Sequence, residues 1–100
     1  IMRRGTTPTH RFVLPFSVAE IKEVEITYCQ NKREVLKKHE QDCEFDGMTV
    51  STTLSQEDTF AFSDGTVIET QIRVETMDGT VFASDIFVVS CQRCLSEEVL

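Results

Sequence analysis

The sequence predicts an all-β domain, an immunoglobulin-like antiparallel β-sandwich of about seven strands with a single helical turn before the sixth strand. Three observations lead there. Apolar and polar residues alternate with period two in several stretches, Asp-Gly pairs at 46–47 and 78–79 separate such stretches, and no segment sustains a helical hydrophobic period.

Taken in order, Phe12, Leu14 and Phe16 alternate around Pro15, which has no N–H to give a ladder, so the opening strand belongs at a sheet edge. Val24, Ile26 and Tyr28 alternate with Glu23, Glu25 and Thr27 in a half-buried second strand. Asn31-Lys32 turns the chain into Glu34–Glu40, which suits a strand or a short helix equally well. Cys43–Phe45 and Met48–Leu54 flank Asp46-Gly47 as a hairpin, and β-branched Thr49, Val50, Thr52 and Thr53 favour the pleat. Ser55 and Asp58 have the spacing of a capping box, hence one helical turn, after which Phe60 and Phe62 plug the bottom of the core.

The strongest signal is Val67–Thr76, where Ile68, Thr70, Ile72 and Val74 alternate with Glu69, Gln71, Arg73 and Glu75. Burying Ile68, Ile72 and Val74 contributes roughly 5–9 kcal/mol before chain entropy, which fixes the inward face. Asp78-Gly79 suits a two-residue type I′ turn into Thr80–Ser90. That loop sets Met77 opposite Thr80, Val74 opposite Ala83, Thr70 opposite Phe87 and Ile68 opposite Val89. Phe82, Ile86 and Val88 then share the opposite, wet face and form the candidate interface. Asp85 would face inward in that register, so a bulge at Ser84-Asp85 is the alternative, exposing Phe82, Phe87 and Val89. Phe82 belongs to the patch either way, unless the N-terminal arm covers it.

A hundred residues, 40% apolar and 27% charged, fit one domain: an arm over 1–9, a sandwich over 10–92 and a tail over 93–100. Arg3, Arg4 and Arg11 make the arm basic, and it reads as a flexible, solvated segment, with Met2 behind Ile1 as a natural start. A net charge of −7 with no basic cluster argues against nucleic acid as a partner. No apolar run reaches membrane-spanning length or the pattern of a secretory signal, so the chain reads as cytosolic.

Cys29, Cys43, Cys91 and Cys94 read first as free thiols in a reducing compartment. Cys91-x-x-Cys94 opens an alternative, a zinc-stabilised or redox-active regulatory domain, with further zinc ligands drawn from Cys29, Cys43, His10 or His39. Catalysis is not expected: His10 falls by the arm and His39 among Lys37, Lys38 and Glu40, and the carboxylates sit on wet faces. Asp42, Glu44 and Asp46 lack the terminal acid of a calcium loop, and no cofactor is expected.

Over nearly its whole length the chain resembles a family of small proteins encoded by tailed bacteriophages and prophages of gut bacteria. The resemblance is carried by Met2-Arg3-Arg4-Gly5-Thr6-Thr7-Pro8-Thr9-His10, Leu14-Pro15-Phe16, Ile21-Lys22, Ile26-Thr27-Tyr28, Leu54-Ser55-Gln56-Glu57-Asp58-Thr59, Arg73-Val74 and Ser84-Asp85-Ile86. It implies a virion or virion-assembly protein of the tail, baseplate or head, held in the host cytoplasm and then in the particle. The expected partners are further copies of the chain or other virion proteins. The resemblance assigns no site residues.

Overall fold

A computed structural model describes all 100 residues. Nine strands form two sheets: β1 (Met2–Arg3), β2 (Thr9–Val13), β3 (Ile21–Gln30), β4 (Arg33–His39), β5 (Cys43–Asp46), β6 (Thr49–Thr53), β7 (Val67–Thr76), β8 (Val81–Ala83) and β9 (Phe87–Gln92). The larger sheet has the order β1-β9-β7-β3-β4, with β8 also paired to β7, and the smaller has the order β2-β6-β5. Successive hairpins therefore alternate between the sheets, which makes the chain an all-β fold of two sheets. The tryptophan and inter-sheet disulfide of antibody domains are missing from that plan.

The core lies where the alternation demands. Val24 pairs with Val74, Ile26 with Ile72 and Tyr28 with Thr70, all six buried on the inner face of the large sheet. Phe12, Val50 and Thr52 answer from β2 and β6, and Leu54 and Phe62 close the space beyond the strand ends. The segment left open between strand and helix is β4, which extends the sheet from β3.

Turn chemistry sets the registers. Asn31 and Lys32, at φ 51° and 62°, form the two-residue loop between Gln30 and Arg33, the positive-φ pair of a type I′ turn. In the second hairpin Asp46 pairs with Thr49, so the loop residues are Gly47 and Met48 and only Gly47, at φ 61°, is left-handed. The third hairpin departs from its expected register: Thr76 N–H donates to the Thr80 carbonyl and Gly79 N–H to that of Thr76, so the loop is Met77-Asp78-Gly79. Val74 consequently faces Phe82, not Ala83. Past Ala83 the returning strand carries one extra residue, and Thr70 opposite Phe87 and Ile68 opposite Val89 are restored as expected. A bulge does lie near Ser84-Asp85, but it does not swap the later residues as the alternative register has it: following a three-residue turn, it returns Phe87 and Val89 to the pairing expected without a bulge. The Ser84 Oγ takes the Ile72 N–H at 3.2 Å while Ser84 N–H donates to the Ile72 carbonyl.

The helical turn is α1 (Gln56–Phe60), with Ser55 and Asp58 exchanging side-chain-to-backbone bonds of 2.9 and 3.0 Å. The expectation of a solvated arm over residues 1–9 does not survive. Met2 and Arg3 run parallel to Cys91 and Gln92, Met2 is buried in the core, and Thr9 already belongs to β2. Residues 93–100 carry no helix or strand, and Leu100 exchanges two bonds with the Gln56 side chain.

Candidate functional site

Three strands cannot cover six. The small sheet ends at β2, and on that side the inner face of β8 and β9 stays open as an apolar seam. Phe16, just beyond β2, leans on Phe82 with ring centroids 5.1 Å apart, and Phe12 leans on Phe87 at 6.0 Å. Phe12 is buried by this arrangement, whereas Phe82 and Phe87 remain 46% and 49% exposed. Three hollows, of about 580, 360 and 260 Å³, follow one another along the seam. Phe16 and Phe82 border the first two, and Phe12 and Phe87 the last two, so they form one interrupted groove.

Of the candidate interface residues, only Phe82 lies on this seam. Its partner across the ladder is buried Val74, which turns it to the inner face. Ile86 and Val88 are 55% and 58% exposed on the outer face, where Val88 pairs with Glu69 and Ile86 stands near Thr27 and Gln71. The three do not share one face, because the three-residue turn moves Phe82 across the sheet and the bulge then leaves the later residues where a two-residue turn would have put them.

At the lower end of the groove, His10 Nδ1 lies 2.7 Å from the Tyr28 hydroxyl. Burial pushes the Tyr28 phenol far up from its usual value and pulls His10 below 6.5, with help from the N-terminal ammonium. The pair is neutral at pH 7, and each partner satisfies the other's buried polar atom. His10 was expected by the flexible arm. The signal for its burial was available: His10, Phe12 and Leu14 continue one inward face with period two.

A polar hollow of about 380 Å³ on the outer face is bordered by Glu23, Glu25, His39, Glu40, Arg73 and Glu75. Three of its charged side chains are engaged: Arg73 bonds Glu25 Oε1 at 2.9 and 3.1 Å, Lys37 approaches Glu25 Oε2 at 3.5 Å, and Glu40 accepts the Val24 N–H. The hydrogen bond from Arg73, more than the neighbouring charges, holds the Glu25 carboxyl below its ordinary pKa.

The cysteines are all unbridged. Cys91 is buried between β1 and β7, and burial raises its thiol pKa; Cys94 is half-buried near Gly5. Cys43 is pushed up to about 11, mainly by burial and then by Asp42. No three histidine, cysteine or acidic side chains converge as a ligand set, so the two further ligands needed at Cys91 and Cys94 are not gathered there. No helix is long and apolar enough to cross a membrane. Comparison of the chain with protein-family models, with curated proteins and with solved structures finds no match.

Proposed function

We propose that the chain is a non-catalytic interaction domain, a small structural component of a tailed-phage or prophage particle. The observation that carries the reading is the apolar seam, on which Phe82 and Phe87 stand half-exposed beside a strand edge on a chain of net charge −7. Aromatic groups at that exposure are costly to leave in water and contribute when a second surface covers them. The family resemblance supplies the setting, a particle in which small β domains act as adaptors.

The test is to purify particles from an induced culture of the encoding strain and quantify the chain by mass spectrometry. The reading expects a fixed copy number per particle, resistant to washing in salt. A chain that is abundant in the lysate yet left behind when intact particles sediment refutes it.

A further inference from the structure

Five strands in the two sheets have a free edge: β1, β4 and β8 in the large sheet, β2 and β5 in the small one. Free edges invite pairing with other chains, and proteins commonly guard them with charge, proline or a bulge. Four are guarded here. Arg3 lies on β1, Arg33, Lys37 and Lys38 on β4, Glu44 and Asp46 on β5, and Arg11 at the centre of β2 between Pro8 and Pro15.

The edge formed by β8 and its continuation is different. Val81-Phe82-Ala83 carries no charge and no proline, and the only acid between Val81 and Ser90 is Asp85 in the bulge. The lower part of this edge, at Cys91 and Gln92, is occupied by β1. Thr76 N–H donates to the Thr80 carbonyl and Ser84 N–H to the Ile72 carbonyl, which places Phe82 in the same phase and leaves the N–H and C=O of Val81 and Ala83 facing outward. The exposed apolar side chains gather around them: Met77 at 69%, Val81 at 58%, Phe82 at 46% and Ile86 at 55%.

We propose that β8 pairs antiparallel with β8 of a second copy of this chain, about a two-fold axis at Phe82. The inference rests on reading the chain as an interaction domain and names its first partner. The edge is self-complementary in that register. Val81 meets the partner's Ala83 and Ala83 the partner's Val81, exchanging the four outward backbone bonds, while Phe82 meets the partner's Phe82 in the closer, non-bonded pair. The flanking acids oppose no like charge: Asp85 falls opposite the partner's Gly79 and Asp78 opposite the partner's Ile86. The Asp78 carboxylate is also turned back onto its own Thr76 hydroxyl and Thr80 N–H. The other edge of the seam fails the same comparison, since two-fold pairing about the middle of β2 sets Arg11 against the partner's Arg11. Pairing at β8 joins the two large sheets and brings the two Phe16–Phe82 contacts together as one apolar cluster, which an extended peptide lacking such aromatics would not supply.

The test is light scattering on the full chain across a series from about 1 to about 500 µM, compared with Val81→Lys/Ala83→Lys. Both side chains point to solvent, and the pairing sets the introduced charges directly opposite one another. The parent mass should climb from 11.4 kDa toward twice that value. The double variant should dimerise at least roughly tenfold more weakly, with the melting temperature of the dilute protein unchanged. A parent that stays at monomer mass, or a variant that dimerises like the parent, overturns the proposal. Should the double variant not fold, Phe82→Cys decides: on oxidation the introduced cysteine should link to its own counterpart, as peptide mass spectrometry reads, and linkage only to native cysteines overturns the pairing. A monomeric parent that still copurifies with particles removes this edge and leaves the interaction reading standing; a dimer absent from particles does the opposite.

Discussion

The buried hydroxyl of Tyr28 and the imidazole of His10 solve a problem that neither solves alone. A tyrosine towards the C-terminal end of β3 packs edge-on against Phe62, 6.0 Å between ring centroids, and its oxygen then needs a partner inside the sandwich. His10 supplies one from 18 residues away in the opposite sheet. Burial, the larger cause, and the N-terminal charge both lower the His10 pKa, so near pH 6.5 the unfolded chain binds more protons than the folded one. Stability from this pair is therefore full above 6.5 and is lost as pH falls below it toward the lowered folded value. The melting temperature of the parent should fall more steeply from about pH 7.5 to about pH 5.5 than that of His10→Gln. Parallel slopes in the two proteins would show that His10 is not held neutral. Tyr28 was legible in the sequence as an inward residue of an alternating run. The role of His10 was not, because the bond that fixes it joins different sheets.

At the scale of elements, the alternation in Val67–Thr76 was enough to locate a strand and its buried face, since four consecutive inward positions, Ile68, Thr70, Ile72 and Val74, are all buried. Asp78-Gly79 located the hairpin but not its length. A glycine in the left-handed region serves a two-residue turn and also the last position of a three-residue loop, and the two differ by one residue of register. The extra turn residue and the extra residue in the bulge then compensate beyond Phe87, which is why the far half of the hairpin was read correctly and Phe82 was not. Gly79 itself, at φ +86°, is tested by Gly79→Val. A Cβ there meets no atom within 4 Å, so the change isolates backbone strain from crowding. We expect a loss of about 1–3 kcal/mol, read as a lower urea midpoint at unchanged slope. A midpoint equal to that of the parent would mean the loop does not need the left-handed conformation. Gly5 offers the contrast: at φ +78° an added Cβ would stand 2.8 Å from Phe60 Cζ, combining strain with a clash against a ring over which the Arg4 guanidinium lies.

On the scale of the whole molecule, the first six residues close the bottom of the sandwich. Met2 fills the core beside Cys91, Arg4 N–H donates to the Gln92 carbonyl, the Arg4 guanidinium reaches the Phe60 carbonyl and Glu97, and Gly5 N–H donates to Thr59 Oγ1 at 2.9 Å. Thr59 Oγ1 in turn donates toward the Thr6 carbonyl, so β9, α1 and the tail meet on one short segment. Two residues have no period to detect, and three arginines nearby make the segment look solvated. Only the tertiary contact, between strands at opposite ends of the chain, reveals Met2 as core. The Arg4–Glu97 pair adds little, Glu97 being 62% exposed, so the apolar burial of Met2 is what anchors the segment. Met2→Ser should cost about 2–4 kcal/mol, by analogy with truncation of a buried methionine. It should also free β1 to open locally, and this separates a lost anchor from general loosening. In the parent, Cys91 is only 4% exposed with a raised thiol pKa, so a maleimide should modify half-buried Cys94 well before it. In Met2→Ser the modification of Cys91 should accelerate by at least about tenfold under native conditions while that of Cys43, on the far sheet, keeps its parent rate. If Cys91 stays as protected as in the parent, the N-terminal strand is not what closes the sandwich; if Cys43 accelerates equally, the substitution has loosened the whole fold and not one edge.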